Sequence, residues 1–592
     1  MQLKVIKSPL DLKQCSFDQL ISVSKQLREY MIDVVSSNEG HLGASLGVVE
    51  LTILLHYVFD TPNDKILWDV GHQAYGHKIL TGRYEEFKSN RKWKGISGFP
   101  KIEESEYDSF GTGHAGTSIS AALGMALASE IKNEKEINYI SVIGDASIAS
   151  GMAFEALNHL GTTSANVLII LNDNTMGIDP SVGALKNYLE KSNTKLNENN
   201  NIFNSLNIDY RGPIDGHDMK LLKDELNLQK TKKGPRLLHI RTVKGKGLIS
   251  AEKNQILFHA PGKFDKLTGI LSKKNKSSKL KFHEIFGKTI LDLAKINSKI
   301  VCITPAMPTG SGLNEMMKQF PKRCYDVGIA EQHAVTLAAG MACEGLVPFC
   351  VIYSTFLQRA YDQIIHDVAI QNLNVIFCID RAGIVGHDGP THHGVYDISF
   401  LRCIPNIKIL APRNAERLRD YLFTFQSQLD GPIAIRYPRG NSEVEKVNES
   451  FEKIALYKAH KISAGRKIAI LSLGTLFKNV NDAISNSGFY KDFSHYSFEF
   501  VNPLDKEILH DVFENHSFIL TVEDGAIKGG FGSSIMEFAQ KYKYMKRIEC
   551  MGVPHEFISH GDPEVLYDSI NISSNRILDK MEEILSLNNI KI

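Results

Sequence analysis

The hydrophobic and polar positions of the chain form alternating blocks that predict strands and helices in turn. An apolar run at residues 139–143 predicts a strand that ends at Gly144 and Asp145. The small residues after it allow a close turn into a helix over 151–160, and a second apolar run at 167–171 predicts the next strand. A strand–helix–strand order of this kind predicts two parallel strands in one sheet.

Comparable blocks occur on both sides of this segment. Apolar positions at helical spacing predict further helices, and short continuous apolar runs predict further strands. The predicted helices are 20–36, 48–59, 119–129 and 282–294, the predicted strands include 299–304, 468–473 and 518–522, and 351–369 is predicted to be a strand followed by a helix. The alternation of the two element types indicates an α/β fold with mostly parallel sheets.

The chain is too long for a single hydrophobic core, because 592 residues correspond to about three domains. The charged stretch SKKNKSSKLK at 272–281 lacks apolar spacing and marks the first predicted boundary, and the charged segment 442–457 marks the second. The predicted domains are 1–278, 279–448 and 449–592. Residues 182–204 are polar and rich in Asn and Lys, which is typical of a mobile surface segment.

Composition narrows the class of protein. A hydrophobic content of 43% is enough for a core in each domain, and a net charge of +1 without a long basic block gives no sign of nucleic-acid or membrane binding. Small-molecule substrates are therefore expected. The first residues lack the apolar core of a signal peptide, and no apolar run approaches the roughly 20 residues of a membrane-spanning helix, so a cytoplasmic location is expected. The eight cysteines form no C-x-x-C pair and are expected to be reduced, mostly in the core.

Polar residues follow both strands of the central segment. Asp145 ends the first strand and Asn174 follows the second, so parallel pairing would bring both to the carboxyl edge of the sheet, where α/β folds bind ligands. A carboxylate, an amide oxygen and a nearby backbone carbonyl suit Mg²⁺ that also binds diphosphate oxygens. The alternative is that Asp145 caps the helix and Asn174 makes a turn.

Three histidines lie in glycine-rich loops upstream of this segment: His41, His72 and His114. A single histidine is more often structural than catalytic. Three of them, each next to a strand or helix end, indicate a site with acid–base or hydrogen-bonding chemistry.

Charged residues at strand ends suggest further chemistry in the second predicted domain. Glu331 lies where a strand meets an apolar helix, and a desolvated carboxylate there needs a partner that uses its charge or proton, although an N-cap role is the alternative. Arg381, on a glycine-rich loop, and Arg439 are candidates for a clamp on a phosphorylated substrate. The alternative for each arginine is a pair with a nearby carboxylate.

Longer runs around these residues resemble one family. Gly144-Asp145 with the downstream Asn174 is similar to the thiamine diphosphate motif, although Ala146 replaces its second glycine. The runs GHLGASLG, DVGHQAYGHKILTGR, GMAFEALNHLG, GPIDGHD, IAEQH and YSTFLQRAYDQ resemble the 1-deoxy-D-xylulose-5-phosphate synthase family, a branch of the transketolase-like thiamine diphosphate enzymes. The resemblance extends from about Asp18 to about Asp562.

This resemblance implies a fold and an activity. The fold would be three domains, each a mostly parallel sheet flanked by helices, and the protein would form a homodimer. The reaction would be the decarboxylative condensation of pyruvate with D-glyceraldehyde 3-phosphate, giving 1-deoxy-D-xylulose 5-phosphate and CO₂. That step opens the methylerythritol phosphate route to isoprenoids and also feeds thiamine and pyridoxal synthesis.

The resemblance also implies roles for individual residues. The thiazolium and substrate side would be lined by His41, His72 and His114, and Lys244 and His259 would reach the same pocket. The turn that binds the cofactor would be formed by Gly144, Asp145, Ala146 and Ser147. Mg²⁺ would be held by Asp145, Asn174 and the Met176 carbonyl. Glu331 would meet the aminopyrimidine nitrogen, and Phe356 would stack on that ring. Substrate would be bound by Tyr353, Arg359, Arg381 and Arg439, with Asp388 and His392 near the reacting carbonyls.

The sequence alone leaves open several alternatives for these residues and for the activity. Lys244 could be a solvated loop charge, and Phe356 could be ordinary core packing. A transketolase would use a sugar phosphate as donor, and a non-catalytic paralogue would have lost the cofactor. Two departures from the family pattern keep the non-catalytic paralogue open, namely Ala146 and the Ala115-Gly116 pair where a serine is common. If residue 146 required a positive φ, its alanine would carry a steric cost and weaken cofactor affinity.

Overall fold

The computed structural model describes residues 1–134, 136–191, 201–272, 278–428, 430–448, 450–465, 467–488 and 490–588. The chain forms two compact units. Unit 1 comprises Met1–Asn275 with Gly328–Ala330, and unit 2 comprises Lys276–Val327 with Glu331–Ile592. The division into three domains at 278 and 448 stays a prediction, and residues 273–277 of the predicted linker lie outside the described residues.

Unit 1 is built on one parallel sheet in the order β1-β2-β3-β5-β4. Its strands are β1 Lys65–Trp68, β2 Tyr139–Gly144, β3 Val167–Asp173, β4 Asp209–Asp215 and β5 Arg236–Arg241. The predicted strands at 139–143 and 167–171 are confirmed as neighbours, with Gly144 opposite Asn172. β3 is buried along its full length, as its apolar sequence requires.

Helices cover both faces of this sheet. They are α1 Pro9–Lys13, α2 Phe17–Asn38, α3 Gly43–Gly47, α4 Val49–Val58, α5 Tyr75–Leu80, α6 Ser118–Ile131, α7 Asp145–Ile148, α8 Gly151–Leu160, α9 Ala184–Lys191, α10 Ile202–Ser205, α11 Met219–Thr231 and α12 Ile249–Lys253. The α2 helix begins at a capping box in which Ser16 and Gln19 satisfy each other's backbone N–H groups. The predicted helix 151–160 is confirmed as α8.

The prediction for residues 182–204 is wrong in part. Helix α9 forms inside that segment, because Leu185, Tyr188 and Leu189 fall on one helical face and pack against an apolar cluster that contains Phe203. The Asn-rich composition hid this short amphipathic pattern. Residues 192–200 lie outside the described residues.

Unit 2 contains two sheets. The seven-stranded sheet has the order β15-β10-β11-β9-β8-β6-β7, and the five-stranded sheet has the order β12-β14-β13-β16-β17. The strands are β6 Ile300–Thr304, β7 Cys324–Asp326, β8 Val347–Tyr353, β9 Ile376–Ala382, β10 Lys408–Leu410, β11 Ile433–Pro438, β12 His460–Ser463, β13 Ile468–Leu473, β14 Phe493–Phe498, β15 Phe500–Asn502, β16 Phe518–Ala526 and β17 Arg547–Val553. Pairing is parallel except at β10–β15 and β12–β14.

The helices of unit 2 surround both sheets. They are α13 Phe282–Ile296, α14 Asn314–Gln319, α15 Glu331–Cys343, α16 Ser354–Leu357, α17 Tyr361–Gln363, α18 Asp397–Arg402, α19 Ala415–Phe425, α20 Phe477–Asn486, α21 Lys506–Asn515, α22 Phe531–Lys541, α23 Pro563–Ser569 and α24 Ser574–Asn588. The single helix predicted after β8 is broken. It consists of α16, the 3₁₀ turn Gln358–Ala360, α17 and the π-helical turn Ile364–Ala369.

Two compositional predictions can be compared with the structure. Cysteines 15, 302, 324, 350 and 378 are buried and unpaired, whereas Cys343 and Cys403 are exposed, so a core position is the wrong description for those two. In the part of the chain that the structure describes, no helix combines the length and apolar character needed to cross a bilayer.

Candidate active site

Asp145 lies at the carboxyl edge of the unit 1 sheet, directly after β2. Its Oδ2 accepts a hydrogen bond from the Ser181 hydroxyl at 2.8 Å, and its Oδ1 accepts one from the Asn174 N–H at 3.5 Å. Burial raises the pKa of Asp145 to about 6. The predicted meeting of Asp145 and Asn174 at one edge is therefore confirmed, and a buried carboxylate with so little compensation is suited to a cation.

Of the two alternative roles, helix capping by Asp145 is not observed, whereas turn formation by Asn174 is. Ser150 occupies the N-cap of α8 and Gly144 that of α7, so Asp145 caps neither helix. Asn174 does make the local turn, because its Oδ1 accepts a hydrogen bond from the Met176 N–H at 3.1 Å. Among the described residues, no group of three or more His, Cys, Asp or Glu side chains could hold a metal, so a cation here would need amide, carbonyl and ligand oxygens as well.

Ala146 carries none of the backbone strain considered for it. It lies within the helical turn α7 and is absent from the residues with positive φ. An alanine adopts a helical conformation at no cost, so replacement of the motif glycine does not distort this turn.

Gly116 is explained by its backbone and by its neighbour Ser150. Its φ is +79°, and a Cβ at this position would overlap the Ser150 hydroxyl. Ser150 is the N-cap residue of α8, makes no side-chain capping bond, and its buried Oγ has no hydrogen-bond partner within the described segments. The Ser150 side chain therefore occupies the space that a side chain at position 116 would take.

Asp69, which sequence reasoning missed, ties the predicted loops together. Its carboxylate accepts hydrogen bonds from the Gly116 N–H at 2.9 Å and the Ser118 hydroxyl at 2.8 Å, and the Ser147 hydroxyl also donates to it. Burial raises the pKa of Asp69 in spite of these donors. This one carboxylate fixes the loop that carries His114 relative to the turn that carries Asp145.

Lys244 is buried, with 1% of its surface exposed, so the interpretation as a solvated loop charge is wrong. Its Nζ donates a hydrogen bond to the Gly177 carbonyl at 2.5 Å. Burial lowers the pKa of Lys244 to about 8, while the charge of Asp145 acts in the opposite direction. A buried ammonium group beside a buried carboxylate is suited to an anionic ligand.

Three of the predicted histidines form a cluster in unit 1. The ring centroids of His72 and His259 are 5.5 Å apart, those of His41 and His259 are 5.6 Å apart, and those of His41 and His72 are 6.3 Å apart. Burial and the charge of Lys244 lower the pKa of His72 to about 3, so it is neutral, and its buried Nδ1 has no hydrogen-bond partner in the described part of the chain. His114 lies on the loop before α6 and is partly exposed. An orphaned ring nitrogen in a histidine cluster fits a polar ligand.

Arg91 is a second residue that the sequence did not indicate. Its Nη1 lies 3.1 Å from Nδ1 of His41. Because a guanidinium group can only donate, His41 must accept at Nδ1 and carry its proton at Nε2. The Tyr75 hydroxyl accepts the backbone N–H of His41 at 3.1 Å. His41 is thus held as a neutral donor by contacts from distant positions that leave no local signal.

Glu331 is the first residue of α15 and is buried, as predicted. Burial raises the pKa of its carboxyl, and Arg359, whose Nη1 lies 4.0 Å from Oε2, opposes that effect. Arg359 was predicted to bind substrate, and the structure places it beside this carboxylate. A carboxyl group with a raised pKa is suited to sharing a proton with a ligand.

Phe356 lies between Tyr353 and His392. Its ring centroid is 5.7 Å from each of theirs, stacked on Tyr353 and edge-on to His392. The guanidinium carbon of Arg381 lies 4.3 Å above the Tyr353 ring, and its Nη1 pairs with the Asp380 carboxylate. Arg381 belongs to the end of β9 and not to the following glycine-rich loop. Tyr353 and Arg381 thus form one cationic and aromatic group at this sheet edge.

Arg439 follows β11 and has 46% of its side chain exposed. Its Nη1 lies 3.7 Å from an oxygen of Asp388 and donates a hydrogen bond to the Val385 carbonyl at 3.2 Å. The alternative pairing with a carboxylate is therefore present. A half-exposed pair of this kind is weak enough to open for a stronger anion.

Known protein families match the chain nearly from end to end. The protein-family model described as 1-deoxy-D-xylulose-5-phosphate synthase matches residues 3–201 and 191–242. The transketolase pyrimidine-binding domain matches 278–444, and the transketolase C-terminal domain matches 457–577. A protein from Cytophaga hutchinsonii named 1-deoxy-D-xylulose-5-phosphate synthase is 50% identical in an alignment of 608 positions, gaps included, that covers 95% of each chain. The chain belongs to the 1-deoxy-D-xylulose-5-phosphate synthase family.

Other members of the family are nearly as similar. The protein of the same name from Bacteroides fragilis is 48% identical, and the alignment covers 95% of this chain and 94% of that protein. Among solved structures, transketolase from Campylobacter jejuni covers 96% of the chain at 18% identity with a TM-score of 0.44. The family assignment rests on the sequence relatives and not on that structural similarity.

Proposed function

We propose that this chain is a 1-deoxy-D-xylulose-5-phosphate synthase, which joins pyruvate to D-glyceraldehyde 3-phosphate with loss of CO₂. The observation that carries the proposal is the identity of 45–50% to proteins of that name across nearly the whole length of both chains. The buried charged and polar residues of each unit fit the binding of a cofactor that carries out this decarboxylation. Thiamine diphosphate, when bound, supplies the electron sink that decarboxylation of pyruvate requires.

In unit 1, Asp145, Asn174 and the Met176 carbonyl would hold Mg²⁺ on the diphosphate of that cofactor. The buried carboxylate of Asp145 and the ammonium group of Lys244 supply opposite charges, which fit a metal and its anionic ligand respectively. The turn of Gly144, Ala146 and Ser147 would pack against the diphosphate. His72 offers a buried, partnerless Nδ1 and a neutral ring to the same ligand.

In unit 2, Glu331 would share its proton with a ring nitrogen of the aminopyrimidine. Burial raises the pKa of the Glu331 carboxyl, which favours its protonated form and suits it to hold a proton for that nitrogen. Phe356, already stacked with Tyr353, would offer a ring face to the pyrimidine.

Substrate chemistry would use the remaining side chains. His41 presents an Nε2–H donor, because Arg91 fixes its tautomer, and such a donor would hydrogen-bond a developing oxyanion. Asp388 and His392 would lie near the reacting carbonyls. Tyr353, Arg381 and Arg439 would bind the aldehyde phosphate through charge-assisted hydrogen bonds.

The choice of donor tests the activity against its alternatives. Purified protein with Mg²⁺ and thiamine diphosphate should consume pyruvate only when D-glyceraldehyde 3-phosphate is present, and the two substrates should be consumed at comparable rates. It should reject a ketose phosphate donor. Turnover of the ketose phosphate would support the transketolase alternative. Binding of the cofactor without turnover of either donor would support a non-catalytic paralogue.

Metal dependence tests the cofactor assignment separately. Thiamine diphosphate should bind tightly with Mg²⁺ and at least about tenfold more weakly with EDTA, because Asp145 repels the diphosphate without a bridging cation. Equal affinity in both conditions would remove Mg²⁺ from the proposal. The homodimer and the cytoplasmic location remain predictions.

A further inference from the structure

The run GPIDGHD carries a histidine, His217, that the proposed function does not use. It lies in the turn between β4 and α11, with 14% of its side chain exposed. Its Nε2 accepts a hydrogen bond from the Val243 N–H at 2.9 Å, and its Nδ1 lies 3.1 Å from Oε2 of Glu50. Since a backbone N–H can only donate, the proton of the neutral ring is on Nδ1 and is donated to Glu50.

Glu50 is shared with a second group that holds the same loop. Arg28 donates from Nη2 to Oε1 of Glu50 at 2.7 Å and from Nε to the Lys246 carbonyl at 2.8 Å. Burial alone would raise the pKa of Glu50, but the hydrogen bond from His217 and the charge of Arg28 hold it below its usual value. The carboxylate is therefore ionised and connects His217 at one end of the loop with Arg28 at the other.

The loop 243–247 built on these contacts has little freedom. The Gly245 N–H donates to the Gly43 carbonyl at 2.8 Å, in the segment that follows His41. Gly247 has a φ of +85°, and the Arg28 side chain packs where its Cβ would be. Both glycines let the backbone lie close to its neighbours, so the position of the loop is set by its hydrogen bonds.

Lys244 is the second residue of this loop, immediately after Val243. Its buried Nζ reaches the Gly177 carbonyl, and its charge acts on both Asp145 and His72. We propose that His217 is a positioning residue, which with Glu50 and Arg28 holds the loop 243–247 so that the Lys244 ammonium group stays at the diphosphate end of the cofactor site. The second part of this inference rests on the proposed function, since it assigns Lys244 to the cofactor.

The first test needs no cofactor. Amide hydrogen exchange in the full-length protein should accelerate at least about tenfold at Val243 and Gly245 in His217→Phe, because the acceptor and the bridge to Glu50 are both removed. His217→Gln, whose amide can accept from Val243 and donate to Glu50, should restore slow exchange. The exposed His159 on α8, changed to Phe, is the matched control and should leave exchange in the loop unchanged. Unchanged exchange in a folded His217→Phe protein would overturn the proposal.

The second test measures thiamine diphosphate affinity by intrinsic fluorescence in Mg²⁺ buffer. The Kd should rise about tenfold in His217→Phe and in Lys244→Met, and it should return towards wild type in His217→Gln. Rapid loop exchange with an unchanged Kd would overturn the assignment of Lys244. Asp145→Asn distinguishes the two levels: if it abolishes binding while Lys244→Met keeps the wild-type Kd, the proposed function stands and this inference fails.

Discussion

The guanidinium group of Arg359 lies 4.0 Å from the carboxylate of Glu331, and its charge opposes the effect of burial on that carboxyl. Removing the charge in Arg359→Gln should therefore raise the pKa of Glu331 further. The acid limb of the kcat–pH profile should move to higher pH, because Glu331 would hold its proton over a wider range. Arg359→Lys should keep most of the wild-type profile. A profile in Arg359→Gln that matches wild type would contradict the coupling.

Glu331→Gln should leave the fold intact and reduce turnover by about 10²–10⁴-fold, since the amide cannot share a proton in the same way. Stopped-flow turnover and a thermal unfolding curve give the two readouts. Glu344→Gln, an exposed residue just after the same helix, is the control and should retain wild-type rates. Wild-type turnover in folded Glu331→Gln would remove this residue from the proton chemistry.

The central strand–helix–strand segment was predictable from sequence because its signals are local. Continuous apolar runs set β2 and β3, small residues set the turn, and parallel pairing then brings Asp145 to Asn174. The burial of Glu331 was predictable for the same reason, since it adjoins an apolar helix.

The supporting residues were not predictable, because tertiary packing alone gives them their partners. Arg91 reaches His41 from another loop, and Asp69 gathers donors from two loops that are far apart in sequence. The burial of Lys244 follows from neighbouring segments and not from its polar, glycine-rich context. The pairing of Arg359 with Glu331 depends on a break in the helix after β8 that the apolar pattern does not record.

Gly116 and Ser150 should be coupled in stability. Gly116→Ala introduces positive-φ strain of about 1–2 kcal/mol and an overlap with the Ser150 hydroxyl. Ser150→Gly alone should cost only a few tenths of a kcal/mol, because Ser150 makes no side-chain capping bond that glycine would lose. In the double variant the overlap is absent, so the loss should be smaller than the sum of the two by about 1 kcal/mol. Additive losses in denaturant midpoints would show that the two residues do not share this space.

Glu523 in β16 predicts a pH dependence of stability. It is fully buried and accepts hydrogen bonds from the N–H groups of Phe531 and Gly532 at 2.8 Å each, yet burial raises its pKa from the usual 4.5 to about 7. Because the pKa of Glu523 is raised in the folded state, its protonated carboxyl stabilises the fold. This stabilisation is complete below about pH 4.5 and is lost as pH rises through 7.

The measurement is the thermal midpoint of wild type and Glu523→Gln between pH 5 and pH 8. The wild-type midpoint should fall more than that of the variant, by about 5 °C for a pKa difference of this size. The exposed Glu556→Gln should follow wild type. Parallel curves for wild type and Glu523→Gln would mean that this carboxyl does not titrate in the folded state over that range.

Arg439→Ala should raise KM for D-glyceraldehyde 3-phosphate far more than KM for pyruvate. A charge-assisted bond to phosphate contributes roughly 1.5–3 kcal/mol, so the expected change is about tenfold to a hundredfold. Unphosphorylated glyceraldehyde should be used equally poorly before and after the change. Arg547→Ala removes a comparably exposed arginine of the same unit and should leave both KM values unchanged. Equal penalties for both aldehydes would mean that Arg439 stabilises structure and does not bind phosphate.

The most direct test of the central claim is the identity of the product. Purified protein with Mg²⁺ and thiamine diphosphate is incubated with D-glyceraldehyde 3-phosphate and pyruvate that carries an isotope label on its carboxyl carbon. We expect the label to leave entirely as CO₂ and mass spectrometry to detect unlabelled 1-deoxy-D-xylulose 5-phosphate. Release of labelled CO₂ without this product, or no reaction of pyruvate in a folded protein that binds the cofactor, would contradict the proposed activity.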